Sequence, residues 1–245
     1  MRQNSLNNAG RYGLYLTVFL TGAAVMVVEL LGTRMIAPFY GASLYVWSSL
    51  ISVTMIALAL GYFCGGRWAD RTKRTGLSMI IAMAALMILL IPWVTRPVLL
   101  ATDPLGLRAG SFVSALVLFS PCLTLLGMVG PFAIKLATTR LEGIGASSGN
   151  IYAISTLGSV IGTLVLGFFL FPLVGSREIL IGLSLVLLAW ATVVAIYEQK
   201  QLAVSVAILP CVLLAIISIL KFSPNKNRFM AGCASSRSLH AIYVF

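Results

Sequence analysis

Of the six acidic residues in this 245-residue chain, one, Glu29, stands inside an apolar run, Val-Val-Glu-Leu-Leu-Gly-Thr-Arg. A carboxylate within a lipid-length helix is costly, and by default it marks a functional site or a buried polar partner. On a helix it shares a face with Gly22, Val25, Met26, Gly32 and Thr33, at i−7, i−4, i−3, i+3 and i+4. Small residues there let a second helix approach, so Glu29 is expected to point into a bundle. Arg34, at i+5, lies about 140° around the helix and is a poor partner. The chemistry open to such a residue is proton or cation binding. The plainer alternative is a structural carboxyl, protonated or hydrogen-bonded to a neighbouring helix. Candidate partners are the hydroxyls of Ser155 and Ser159, or of Ser120 and Thr124.

Other polar and small residues fall at helical spacing. Tyr152, Ser155, Ser159, Gly162 and Thr163 form a stripe, and Gly158 completes a GxxxG with Gly162; Gly61 and Gly65 form a second. Such stripes read first as packing seams between helices in lipid, and second as a substrate path. Ser120, Pro121, Thr124, Gly127, Gly130 and Pro131 suggest a helix that bends, because proline frees backbone carbonyls. The glycine-rich 143–149 stretch lacks a preceding strand and reads as an interhelical turn. The cysteines, Cys64, Cys122, Cys211 and Cys233, show no CxxC spacing, and His240 is the only histidine. No metal site and no cofactor is expected.

The elements that must carry these residues follow from composition. Hydrophobic residues make up 60% and charged residues 9% of the chain, and the mean hydropathy is +1.02. Soluble domains carry about 25% charged residues, so this chain reads as an integral membrane protein. Apolar runs near 14–36, 44–65, 77–95, 111–135, 150–173, 178–197 and 201–221 are each long enough to cross the bilayer as a helix. The first is too long for a signal peptide and lacks a small-residue cleavage site. The division is an N-terminal segment 1–12, a transmembrane domain 13–221 and a basic tail 222–245.

A net charge of +11 would otherwise suggest nucleic acid. Here the basic residues sit in short loops rather than on one soluble face, so orientation in the membrane is the better reading and no nucleic-acid partner is expected. Arg2, Arg11, Arg67, Arg71, Lys73, Arg74, Lys135, Arg140 and Lys200 fall on one side, against Arg34, Arg96, Arg108 and Arg177 on the other. The N-terminus and the 65–76 loop are therefore expected in the cytoplasm. The tail departs from this rule: seven spans place it outside, yet Lys221, Lys226, Arg228 and Arg237 have no acid among them.

That loop, Gly65-Gly-Arg-Trp-Ala-Asp-Arg-Thr-Lys-Arg74, resembles the loop motif of major facilitator transporters, with Lys73 where a glycine is usual. The resemblance assigns close helix approach to Gly66 and a latch on the helix ends to Asp70, Arg71 and Arg74. Three stretches, Glu29 to Gly41, Ala57 to Arg71 and Gly149 to Thr163, resemble the membrane part of bacterial fused major-facilitator/spermidine-synthase-like proteins. The likeness covers roughly residues 13–221. It implies an all-α bundle of about seven helices, the first six like half of a major facilitator transporter, in the bacterial inner membrane. It also brings in polyamine metabolism.

The family's aminopropyltransferase domain is missing: there is no Gly-Gly-Gly-Asp-Gly-like loop and no acidic diamine site, and the tail reads as the product of truncation or an altered frame. No catalytic residue carries over. The function expected is a membrane module that anchors a synthase partner or binds a small cationic metabolite through Glu29. The alternatives are a half-size transporter working as a homodimer and a non-catalytic subunit packed among other membrane subunits through Gly22, Gly32, Gly61, Gly65, Gly158 and Gly162. A cysteine placed at Thr72 is expected to resist an impermeant maleimide in intact cells and to react after permeabilisation; labelling from outside would reverse the topology.

Overall fold

The computed structural model describes residues 8–71, 76–137 and 144–197, and within them the regular structure is helical throughout. The seventh expected span, 201–221, the tail, and Arg74 lie outside the described residues. Helix α1 covers Asn8–Tyr40, α2 Leu44–Arg71, α3 Leu77–Thr102 and α4 Gly106–Ala137. Helix α5, Ile144–Leu164, continues through a π-helical stretch, Val165–Leu170, into a single turn α6, Phe171–Leu173. Helix α7 covers Ser176–Tyr197.

Lipid offers no hydrogen bonds, so each apolar run must satisfy its own backbone, and a helix does this within one segment. Among the described residues, five apolar stretches are long enough to cross a membrane. The third, Leu77–Ala137, has 61 residues. Unbroken, it would extend about 90 Å, three times the hydrocarbon core. It is divided at a 3-10 turn, Asp103–Leu105, followed by Gly106 at φ 75°. Helices α3 and α4 then pack along each other as two passes. Gly41, also at positive φ (77°), ends α1, and its N–H closes on the Ala37 carbonyl at 2.8 Å.

The helices overrun the expected spans. Helix α3 passes through Pro92 and Pro97 to Thr102, and α4 passes through Pro121 and Pro131. The 143–149 stretch is not a turn: from Ile144 onward it forms the start of α5. Its Gly145 and Gly149 have no positive φ, so nothing in the backbone demands a break there.

Helix α4 is the hub. It packs against α2, α3, α1 and, more lightly, α5, while α7 closes the bundle against α3 and α1. The core is made of Ile80, Ile81, Ala84 and Ile88 from α3, Phe119 and Leu123 from α4, and Leu180, Leu187 and Leu188 from α7. Helix α5 stands at the margin. It leans on α1 and little else, with 11% of its apolar window buried against 61% for Leu77–Ala137.

Two seams bring backbones together where a side chain would keep them apart. Between α2 and α4, a Cβ on Gly61 would strike the Thr124 carbonyl, and one on Gly65 would lie 2.7 Å from Met128 Cα. Between α1 and α5, Cβ atoms on Gly22 and Gly158 would strike the Ser155 and Phe19 carbonyls, and one on Gly162 would sit 3.0 Å from Ala23 Cα. At Gly32 a Cβ would press on Leu50 and Phe119, from α2 and α4, at 3.0–3.1 Å. Backbone atoms cannot step aside, so Gly61→Val is expected to destabilise the bundle by ~2 kcal/mol or more. Gly13→Ala, where a Cβ meets nothing within 4 Å, is expected to change little. Equilibrium unfolding in mixed micelles reads both.

Candidate functional site: a carboxylate in the α1–α5 seam

Glu29 lies in the C-terminal half of α1 and is half-buried. It is seven residues from Gly22, which places the two within about 20° of each other around the helix. The contact of Gly22 with Ser155 therefore shows which way Glu29 looks: toward the side of α1 on which α5 rests. Gly32, about 60° away, meets Leu50 of α2 and Phe119 of α4. Helical periodicity thus puts Glu29 on the sector of α1 between the lines of contact with α5 and with the α2–α4 pair. Among the described residues its carboxylate has no hydrogen-bond or ion-pair partner; its peptide carbonyl accepts from the Thr33 hydroxyl at 3.4 Å.

The four hydroxyls expected near Glu29 are placed as follows. Ser159 Oγ donates to the Gly22 carbonyl at 3.0 Å, and the Ser155 hydroxyl faces Gly22 itself. Both are committed to the seam two turns, roughly 10 Å, below Glu29. Ser120 and Thr124 are half-buried on α4. The α4 side chain that reaches α1 near this depth is Phe119.

The loop motif divides. Asp70 and Arg71 are exposed at the end of α2. A Cβ on Gly66 would meet nothing within 4 Å; the close approach belongs to Gly65. The tie between the ends of α2 and α4 comes from elsewhere. Lys135 Nζ donates to the Ala69 carbonyl, one of those left without a donor at the C-terminus of α2. A cation there also complements the helix dipole. Trp68 packs edge-on against Phe132 at 6.0 Å, and Arg67 stacks over Phe63 at 3.8 Å.

Several polar contacts were not anticipated. Trp190 Nε1 donates to Thr17 Oγ1 at 2.9 Å, tying α7 to α1. The Tyr40 hydroxyl donates to Thr102 Oγ1 at 2.9 Å, and Ser49 and Ser111 share a hydrogen bond at 3.3 Å. The Thr54 hydroxyl is fully enclosed on α2 and has no partner, unlike Thr17, Thr21, Thr95 and Thr102, which bond carbonyls of their own helices. Trp190 and Tyr40 carried the clearest sequence signal, being amphipathic rings within or just beyond apolar runs. Among the described residues no three His, Cys, Asp or Glu side chains gather as a metal site.

No family model, no curated protein and no solved structure matches the chain. Single hydrogen bonds in membrane bundles contribute about 0.6 kcal/mol on average. Ser159→Ala is therefore expected to lower stability by about that amount, and Gly22→Leu by several times more. Unfolding of the two variants side by side tests whether steric fit, not the hydroxyl, holds α5 on α1.

Proposed function

We propose that this chain is a membrane-embedded binding module for a small cation, with Glu29 as its charged ligand. One observation carries the reading: a half-buried carboxylate in the apolar helix α1 takes no hydrogen-bond or ion-pair partner among the described residues. A carboxylate fixed in lipid costs at least ~2.5 kcal/mol on insertion scales. A bound cation or proton offsets that cost. The likeness of the Glu29–Gly41, Ala57–Arg71 and Gly149–Thr163 stretches to the fused major-facilitator/spermidine-synthase-like proteins supports a bundle of the half-transporter kind in a bacterial inner membrane. It also supports a polyamine-related ligand, or a synthase anchored as a partner.

A second reading is a transporter half completed by a second copy. It is favoured by the margins of the bundle. Helix α5 uses one face only, and α2 presents Tyr45, Ile51, Met55, Tyr62 and Phe63 outward. Alternating access needs an opposing bundle, and two copies supply it.

Glu29→Gln separates a ligand from a structural carboxyl, since the amide keeps the shape and hydrogen-bonding capacity of the acid. The variant is expected to express and elute as the parent does, and to lose cation binding or uptake in proteoliposomes. Full retention of cation binding by a well-assembled Glu29→Gln protein would end the assignment.

A further inference from the structure

The surface of α5 is divided lengthwise. The helix rests on α1 through Ser155, Gly158, Ser159 and Gly162. At about 100° per residue, Tyr152, Thr156 and Thr163 fall on one flank of that line of contact, Ile161 on the other, and Leu157 and Leu164 at the back. Thr163 is half-buried and the rest are exposed. One flank is thus a row of hydroxyls, and the remaining surface is apolar.

Tyr152 shows where the polar flank looks. It lies close enough to Tyr62 of α2 for the two phenols to interact electrostatically, and the Tyr62 ring stands 4.0 Å from where a Cβ would sit on Gly130 of α4. The hydroxyl row therefore faces α2 across α4. Helix α2 packs on α4, α5 on α1, and α1 on α4, so α1 and α4 floor a cleft walled by α2 and α5. The sector of α1 that carries Glu29 borders this cleft. The floor is covered unevenly. No residue of α4 from 122 to 134 is exposed, whereas Val117 and Pro121 are. The half-buried Ser120 stands between them, next to Phe119, which meets Gly32 about one turn from Glu29. The cleft is shut near Tyr62 and Tyr152, toward the 65–76 loop, and open at the depth of Ser120. Ser111, Ser114 and Ser184 each bond a carbonyl three residues back, while Ser120 makes no hydrogen bond among the described residues.

We propose that this cleft is water-filled and leads a hydrated cation or a proton to Glu29 from the side of the membrane opposite the 65–76 loop, with Tyr62 and Tyr152 closing the other end. It rests on the reading of Glu29 as a cation ligand and adds the side from which Glu29 is reached. Water supplies the hydrogen bonds that lipid cannot. A serine in hydrocarbon turns to its own backbone, and Ser120, facing water, has no need to. Hydration also explains why hydroxyls line this flank of α5 and not its back. Ionisable residues within spans face a bundle interior or a water-filled cavity, and an aqueous approach lowers the cost of the Glu29 carboxylate. The two tyrosine rings suit the closed end, since their bulk excludes water where the helices converge.

The test is the reactivity of single cysteines toward charged, impermeant methanethiosulfonates, in the full chain with its four cysteines replaced by serine and held in sealed vesicles. A thiol must ionise to react, and each unit by which apolar surroundings raise its pKa removes about tenfold of the thiolate. Ser120→Cys and Thr156→Cys are expected to react roughly 10-fold or more faster than Leu157→Cys and Ile161→Cys. They should react from the side that does not label Thr72→Cys, and adding Tyr62→Ala should admit reagent from the Thr72 side as well. At Ser120→Cys the cationic reagent is expected to outpace the anionic one, and Glu29→Gln to shrink that preference. If the four positions react alike, or Ser120→Cys is labelled from the Thr72 side alone, the cleft is wrong, and cation binding that is still lost in Glu29→Gln leaves the reading of Glu29 standing. A charge preference indifferent to Glu29→Gln overturns the route to Glu29. If the labelling pattern holds and Glu29→Gln binds cations as the parent does, the cleft survives and the ligand reading falls. Size-exclusion profiles confirm that each variant is assembled, and Thr156→Cys reads the cleft where Ser120→Cys does not assemble.

Discussion

Every backbone polar group that enters the hydrocarbon must be satisfied by the protein itself, and the rest of this structure follows from that constraint. It makes the described chain helical, and it keeps α3 and α4 helical through internal prolines. It also turns side-chain hydroxyls inward on their own helices: Thr17, Thr21, Thr95, Thr102 and Thr163 each bond a carbonyl four residues back. A polar side chain in lipid is tolerable when the nearest acceptor is its own backbone.

The same constraint removes the usual reason for helices to adhere. Lipid tails are as apolar as leucine, so association rests on close packing. That is why the two seams are lined with glycine, and why their contacts are backbone to backbone. The hub position of α4 comes from this geometry. Gly127 lets α4 meet Leu58 and Gly61 on α2, while Phe119 fills the gap before α1.

Much of this was legible in the residues. Hydropathy marked the long apolar helices, and the i−7 spacing of Gly22 and Glu29 put both on one face of α1, because helical periodicity is local. Depth along a partner helix is not local. Ser155 and Ser159 were drawn to Glu29 by their polarity, but the register of α5 on α1 is set by where glycine permits contact, and it assigns both to Gly22. The π-helical turn escaped for a related reason. Pro121 and Pro131 in α4 carry the stronger signal of an interruption, yet the helix continues through them, while a proline at the end of a helix, Pro172, looks like ordinary punctuation. Lys135 likewise read as a topogenic charge, since nothing in its own neighbourhood names the Ala69 carbonyl as its acceptor.

The pairing of α1 with α5 also has a consequence in time. Ser159 lies 137 residues after Gly22, whose carbonyl it bonds. A ribosome delivers α1 to the bilayer long before its partner exists, and α2, α3 and α4 are made in between. During that interval the glycine face of α1, with Glu29 two turns further along it, must wait against lipid or against the insertion machinery. The carboxylate is thus most exposed during biosynthesis, and α5, arriving late, meets a groove whose other wall is already built.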